Sequence, residues 1–227
     1  MKKIINDIIN KALVKKQKAL SEYESKLILS QIGFPITKEK LALSEEEVLF
    51  FAEEIGYPLV LKGSSDKIIH KTEAGIIKLN LNNKEEVRKA YQELQSLNFG
   101  LEGILVQEMI KGDREFVMGL TRDPHFGPCV MFGLGGIFAE VLNDVTFRLA
   151  PLTEKDVAEM FAEIKTRRLL EFFRGEKKVK VDILKKALIN LGNLGLENEK
   201  IKEIDINPIK IIDGYPIALD ALVILNN

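Results

Sequence analysis

The chain has little of what many functional sites are built from. Its 227 residues include one cysteine, two histidines and no tryptophan. A single cysteine excludes a disulfide framework and any Cys-rich zinc or iron–sulfur centre. Two histidines exclude a multi-histidine metal centre, so any metal must be held by oxygen ligands, which favours Mg²⁺ or Ca²⁺. Charge of one sign is also missing. The 33 Lys and Arg stand against 34 Asp and Glu, and a net charge of −1 argues against a nucleic-acid binder. The longest uncharged run, residues 126–139, is interrupted by Pro128 and four glycines, and is shorter than the ~18 apolar residues of a membrane span. The opening MKKIINDIIN lacks the apolar core and cleavage site of a signal peptide, so the cytoplasm is the expected location. There is no P-loop and no G-x-S-x-G elbow.

What is present describes a globular protein. Apolar residues make up 46% and charged residues 30%, enough to bury a core. Residues 1–20 hold six Lys against one Asp, and Ile4, Ile5, Ile8, Ile9, Ala12 and Leu13 recur at helical spacing, predicting a basic amphipathic helix. Further helices are expected over 22–31, from Ser44–Glu47 to Gly56, from Asn83–Glu86 to about 97, from Thr153–Asp156, over 167–173 and over 182–194. Strands are expected over 59–62, 75–81, 104–108, 115–120, 127–132, 145–149, 201–206, 209–212 and 217–224. Strands interleaved with helices, without regular alternation, give an α+β class. A break near 108–113 yields two lobes, and the expected domains are 1–20, 21–107 and 108–227.

Several residues bear on chemistry, each with a structural alternative. Asn207 and Asp220 lie thirteen apart around the turn at Asp213-Gly214. A hairpin there brings an amide oxygen and a carboxylate to one end, a pair suited to Mg²⁺ that keeps water and nucleotide phosphates in its shell. The plainer reading is turn punctuation and a strand-end cap. Lys62 leaves an apolar strand into a Gly-Ser-Ser loop and is either a phosphate ligand or a snorkelling lysine. Arg148, within a strand, is a phosphate ligand or an ion-pair partner. Gly133, Gly135 and Gly136 form either an anion-approaching loop or a tight turn. His70 lies between Lys67 and Lys71, and a neutral imidazole there can accept a phosphoryl group. His125 reads as a turn residue.

Four strings in order, SEYESKLILSQIGFPI, PLVLKGSSDKIIHKTEAGIIKLNL, VQEMIKGDREFVMGLTRDPHFGPCVMFGLGGIFAEVLNDVTFRLAPL and EIDINPIKIIDGYPIALDA, carry a family resemblance from about residue 20 to the end. The chain resembles the nucleotide-binding β subunit of ADP-forming acyl-CoA synthetases, ATP-grasp proteins related to succinyl-CoA synthetase. The resemblance implies an ATP-grasp fold of two α+β lobes enclosing ATP or ADP. It implies Lys62 on the phosphates, Gln107, Glu108, Met109 and Ile110 along the adenine, Glu115 near the ribose or in the site wall, and Arg148 beside the phosphates. Asn207 and Asp220 become the Mg²⁺ ligands, with Gly135, Gly136, Glu140, Asp144, Arg174 and Asp205 as further lining residues. The family's G-[YF]-R-G is here Phe172-Phe173-Arg174-Gly175, which lacks the first glycine. Gly75-Ile76-Ile77 stands where a double glycine is commoner. His70 matches the histidine expected to exchange a phosphoryl group with a CoA-binding α subunit, in an α2β2 heterotetramer. The implied reaction is acyl-CoA + ADP + Pi ⇌ acid + ATP + CoA. The alternatives are another ATP-grasp carboxylate ligase working through an acyl phosphate, and a non-catalytic nucleotide-sensing subunit.

Overall fold

The computed structural model describes residues 2–64, 75–97, 99–136, 143–172 and 175–226. The chain forms two compact units, one of residues 37–110 and a larger one of residues 1–36 with 111–227. The amphipathic N-terminus forms α1 (Lys2–Val14), which buries Ile5, Ile9 and Ala12. It is followed by α2 (Glu22–Gln31), which opens on a reciprocal cap. The Ser21 hydroxyl accepts from the Glu24 N–H at 3.3 Å, and the Glu24 carboxylate accepts from the Ser21 N–H at 3.1 Å.

This division differs from the boundaries read in the sequence. Residues 21–36, assigned there to the first subdomain, pack with the C-terminal half, and α1 does the same. Ile9, Ile28, Leu29 and Phe34 share one apolar core with Met118, Leu188 and Val223. The cause is non-local pairing: Leu20 N–H donates to Val223 O at 2.9 Å, and Ala218 N–H to Pro35 O at 2.9 Å.

In the smaller unit, β1 (Glu39–Ala42), α3 (Glu45–Ile55), β2 (Leu59–Ser64), β3 (Ile77–Leu81), α4 (Lys84–Ser96) and β4 (Gly103–Glu108) follow in sequence. The strands form an antiparallel sheet in the order β1-β4-β2-β3. Strand alternation turns Leu59, Leu61, Ile104 and Val106 onto Val48 and Ala52 of α3 and Val87 and Leu94 of α4. β1 escapes the sequence reading because Glu-Lys-Leu-Ala is too short and polar to alternate visibly.

The larger unit continues with β5 (Glu115–Asp123), β6 (Gly127–Leu134), β7 (Val145–Leu149), α5 (Glu154–Glu163), α6 (Val181–Glu197), β8 (Ile201–Ile212), β9 (Tyr215–Ala218) and β10 (Leu222–Leu225). Its sheet runs β10-β8-β5-β6-β7, with β9 also on β8. Leu120, Val130, Phe132 and Ile204 face α5 and α6 through Val157, Met160, Leu184 and Leu188. The architecture is α+β, as the interleaving predicts. A 3₁₀ turn, Arg167–Leu170, stands where the helix expected over 167–173 begins, and Glu171 after it is extended. The strands expected over 201–206 and 209–212 are one strand, and the one expected over 217–224 is two. Among the described residues no helix is long and apolar enough to cross a membrane.

Candidate functional site

The break between β9 and β10 organises the site. β9 pairs with β8 as far as Ile209↔Ala218, and β10 resumes at Asp205↔Leu222. Residues 206–208 and 219–221 therefore lie level across an interrupted ladder, joined by Leu219 N–H donating to Pro208 O at 3.0 Å. On the opposite edge, β5 meets β8 at Phe116↔Ile209 and Met118↔Ile206, so Asn207 and Pro208 together oppose Val117. That is a β-bulge, the place where a strand tolerates a proline that cannot donate to the ladder. The bulge and the break bring Asn207 and Asp220 to the same level of the sheet.

The charges around this point are acidic. Burial, and then the negative charges of Glu203 and Asp220, push the Asp205 carboxyl up to about 6 against the opposing Ile206 N–H. Asp220 Oδ1 accepts from the Ala221 N–H at 2.8 Å. Glu203 was missed in the sequence, although the alternation of Glu203 and Asp205 along one strand face is visible there. Among the described residues no three His, Cys, Asp or Glu converge closely enough to hold a metal unaided. An amide and a carboxylate beside two further acids fit a divalent cation that takes its remaining ligands from water and phosphate oxygens.

The sheet register sorts the other candidates of this unit. Gly119 pairs with both Asp205 and Met131, and Met131 with Phe147, so these four share the face turned away from α5 and α6. Leu120 pairs with Ile204 and Val130, and Val130 with Arg148, so Arg148 lies on the helix-covered face instead. There its guanidinium grips Glu163 at 2.5 and 3.0 Å. The expected phosphate ligand is thus an ion-pair partner on the opposite side of the sheet from Asp205. Asp144 is buried and holds the chain after α5. It accepts from the Lys165 N–H at 2.7 Å, the Thr166 N–H at 2.8 Å and the Thr166 hydroxyl. Burial raises its pKa, but these hydrogen bonds and the Lys165 charge outweigh it, leaving the carboxyl below its ordinary value. Its oxygens serve the fold.

Glu115 opens β5, opposite Lys210, and pairs with it at 3.1 Å. Gly135 N–H donates to Glu115 O at 2.9 Å, and a Cβ on Gly135 would stand 2.6 Å from Phe116 O. Gly136 takes φ +75°, with any Cβ 2.6 Å from the Glu115 carboxylate. The glycine pair is required by this close approach to β5.

In the smaller unit, Val60, Lys62, Leu105 and Gln107 alternate away from the core that faces α3 and α4. Lys62 and Gln107 are nonetheless buried, at 7% and 2% exposure. Glu108 is fastened to Lys38 twice: its carboxylate accepts from the Lys38 N–H at 2.7 Å, and its own N–H donates to Lys38 O at 3.0 Å. Met109 N–H donates to Pro58 O at 3.0 Å, and Ile110 ends the unit. His125 is the expected turn residue, its N–H bonded to the Asp123 carboxylate at 2.7 Å. His70, Glu140 and Arg174 lie outside the described residues.

A family model described as an ATP-grasp domain matches residues 11–225. The β subunit of acetate–CoA ligase (ADP-forming) I from Pyrococcus furiosus is 45% identical over 225 residues, covering 96% of this chain and 97% of that protein. The 4-hydroxybutyrate–CoA ligase (ADP-forming) of Nitrosopumilus maritimus is 41% identical over 208 residues; the match covers 88% of this chain and 30% of that longer protein. A solved structure of Ca. Korarchaeum cryptofilum dinucleotide-forming acetyl-coenzyme A synthetase 1 superposes with a TM-score of 0.88 at 44% identity, covering 98% of this chain and all of the matched one. That structure holds coenzyme A and Mg-AMPPCP, with its phosphohistidine segment pointing towards the nucleotide-binding site.

Proposed function

The chain belongs to the ATP-grasp family, among the β subunits of ADP-forming acyl-CoA ligases, and from that membership we propose that it binds Mg-ADP or Mg-ATP and transfers the phosphoryl group between a phosphohistidine and ADP. The observation that supports this reading is that Asn207 and Asp220 stand level across the interrupted ladder, with Asp205 on the same strand as Asn207. Lys62 contacts the phosphates, and the segment from Gln107 to Ile110, held by its bonds to Lys38 and Pro58, lies along the adenine. Asn207 and Asp220 hold Mg²⁺, which supplies charge neutralisation and orientation of the phosphate oxygens. Glu115, kept extended by Lys210 and roofed by Gly136, forms part of the wall. His70 takes the phosphoryl group from a CoA-binding partner subunit and gives it to ADP, and the net reaction is acyl-CoA + ADP + Pi ⇌ acid + ATP + CoA. Positioning and charge neutralisation supply most of the catalysis in such a transfer. An α2β2 assembly in the cytoplasm completes the proposal.

The test is ADP- and Pi-dependent release of CoA by the chain together with its CoA-binding partner subunit. His70→Ala is expected to abolish turnover while Mg-ADP binding by the chain persists in calorimetry. Turnover at the wild-type rate would remove the phosphohistidine relay and leave a ligase working through an acyl phosphate alone.

A further inference from the structure

One buried ion pair has no evident purpose in stability. Glu22 and Lys26 stand one turn apart on α2, with their charged groups 3.0 Å apart and side-chain exposures of 2% and 0%. Withdrawing two charges from water is costly, and apolar residues of similar volume at such a site are often equally or more stabilising. What the pair touches is more specific. Lys26 Nζ donates to Leu219 O at 3.1 Å, across 193 residues of sequence. Leu219 lies in the gap between β9 and β10 and immediately precedes Asp220. Its N–H is held by Pro208 O in the bulge that presents Asn207. Ser25, fully buried beside Lys26, accepts from the Val223 N–H through its hydroxyl at 3.1 Å. Leu20 N–H donates to Val223 O on the same stretch. One helix thus grips the chain on both sides of Asp220.

We propose that the buried polar face of α2, Glu22, Ser25 and Lys26, is a positioning device for Asp220, holding the Leu219–Asp220 backbone so that the carboxylate meets a divalent cation beside Asn207. Glu22 fixes the direction of the Lys26 ammonium, and Lys26 fixes the carbonyl that leads into Asp220. Ser25 fixes the start of β10. Groups that orient metal ligands in this way govern metal affinity without touching the metal. This inference rests on Asp220 being a Mg²⁺ ligand.

The experiment uses the full chain and reads binding. ADP affinity is measured by calorimetry across a Mg²⁺ titration and in its absence, with a thermal melt of each variant. Glu22→Leu/Lys26→Met is expected to melt at or above the wild-type temperature and to bind metal-free ADP unchanged. The Mg²⁺ needed for half of the affinity gain is expected to rise about 10- to 100-fold. Ser25→Ala, a loss of one small hydroxyl, is expected to move it in the same direction by about fivefold, the share of one hydrogen bond. It decides the question if the double variant does not fold. A wild-type Mg²⁺ response in the folded variants overturns the positioning role. Asp220→Asn separates the two claims: if it too responds like the wild type, the metal-ligand reading itself fails and this proposal falls with it.

Discussion

Asp144 is buried and Asp205 half-buried, and their carboxyls are displaced in opposite directions. Asp205 is surrounded by other acids and takes up protons more readily, while Asp144 is surrounded by donors and gives them up. The donors around Asp144 make a testable statement about stability. Its folded value lies below the ordinary 3.8, so the folded state binds fewer protons there than the unfolded one. The stabilisation is therefore present above about pH 4 and is lost as the pH falls through the folded value. Asp144→Ala also orphans the N–H groups of Lys165 and Thr166, and is expected to cost on the order of 2–3 kcal/mol at pH 7. The penalty should shrink toward pH 3, as measured by urea unfolding across that range. A penalty independent of pH would contradict this account. Gly135→Ala is a second residue-scale case, because the added methyl meets backbone at 2.6 Å rather than a yielding side chain. A loss of about 1–3 kcal/mol is expected in the same assay.

A strand offers two faces, and pairing register decides which one each residue occupies. Lys62 and Arg148 look alike in sequence, as a single cation at a strand's end or middle. The register puts Lys62 on the face away from its helices and Arg148 on the face beneath them. Arg148→Gln is therefore expected to lower the melting temperature slightly, through loss of Glu163, and to leave Mg-ADP affinity unchanged in calorimetry. A tenfold loss of affinity would return Arg148 to the phosphate site. The bulge at Asn207-Pro208 belongs to the same scale. The missing N–H of a proline is visible in any sequence, but the residue it displaces toward a ligand depends on which strands lie alongside.

The larger unit is assembled from both ends of the chain. Its first 36 residues are not an appendage but part of the core that also backs Asp220. Ile9, at 1% exposure, should therefore cost about 2–5 kcal/mol when truncated to Ala. A change below 1 kcal/mol in denaturant unfolding would show that α1 is docked only loosely. Ligand binding works in the opposite direction: Mg-ADP at a hundred times its Kd should stabilise the chain by about 2.7 kcal/mol, read as a rise in the melting midpoint.

Local chemistry made much of this protein legible in its sequence. Caps at Asn83 and Thr153 place their N–H bonds where Glu86 and Asp156 follow three residues later, because a helix start is satisfied within one turn. Alternating and helical hydrophobic periods located most elements, and the strings around Lys62, Asn207 and Asp220 carried the family. What the sequence alone did not determine is every relation that crosses it. Which face Arg148 occupies, why residues 21–36 join the C-terminal half, and what Glu22 and Lys26 hold are set by strand register and by hydrogen bonds between residues far apart in the sequence, such as Lys26 with Leu219. No local pattern encodes those partners, because each is chosen by the packing of the whole unit.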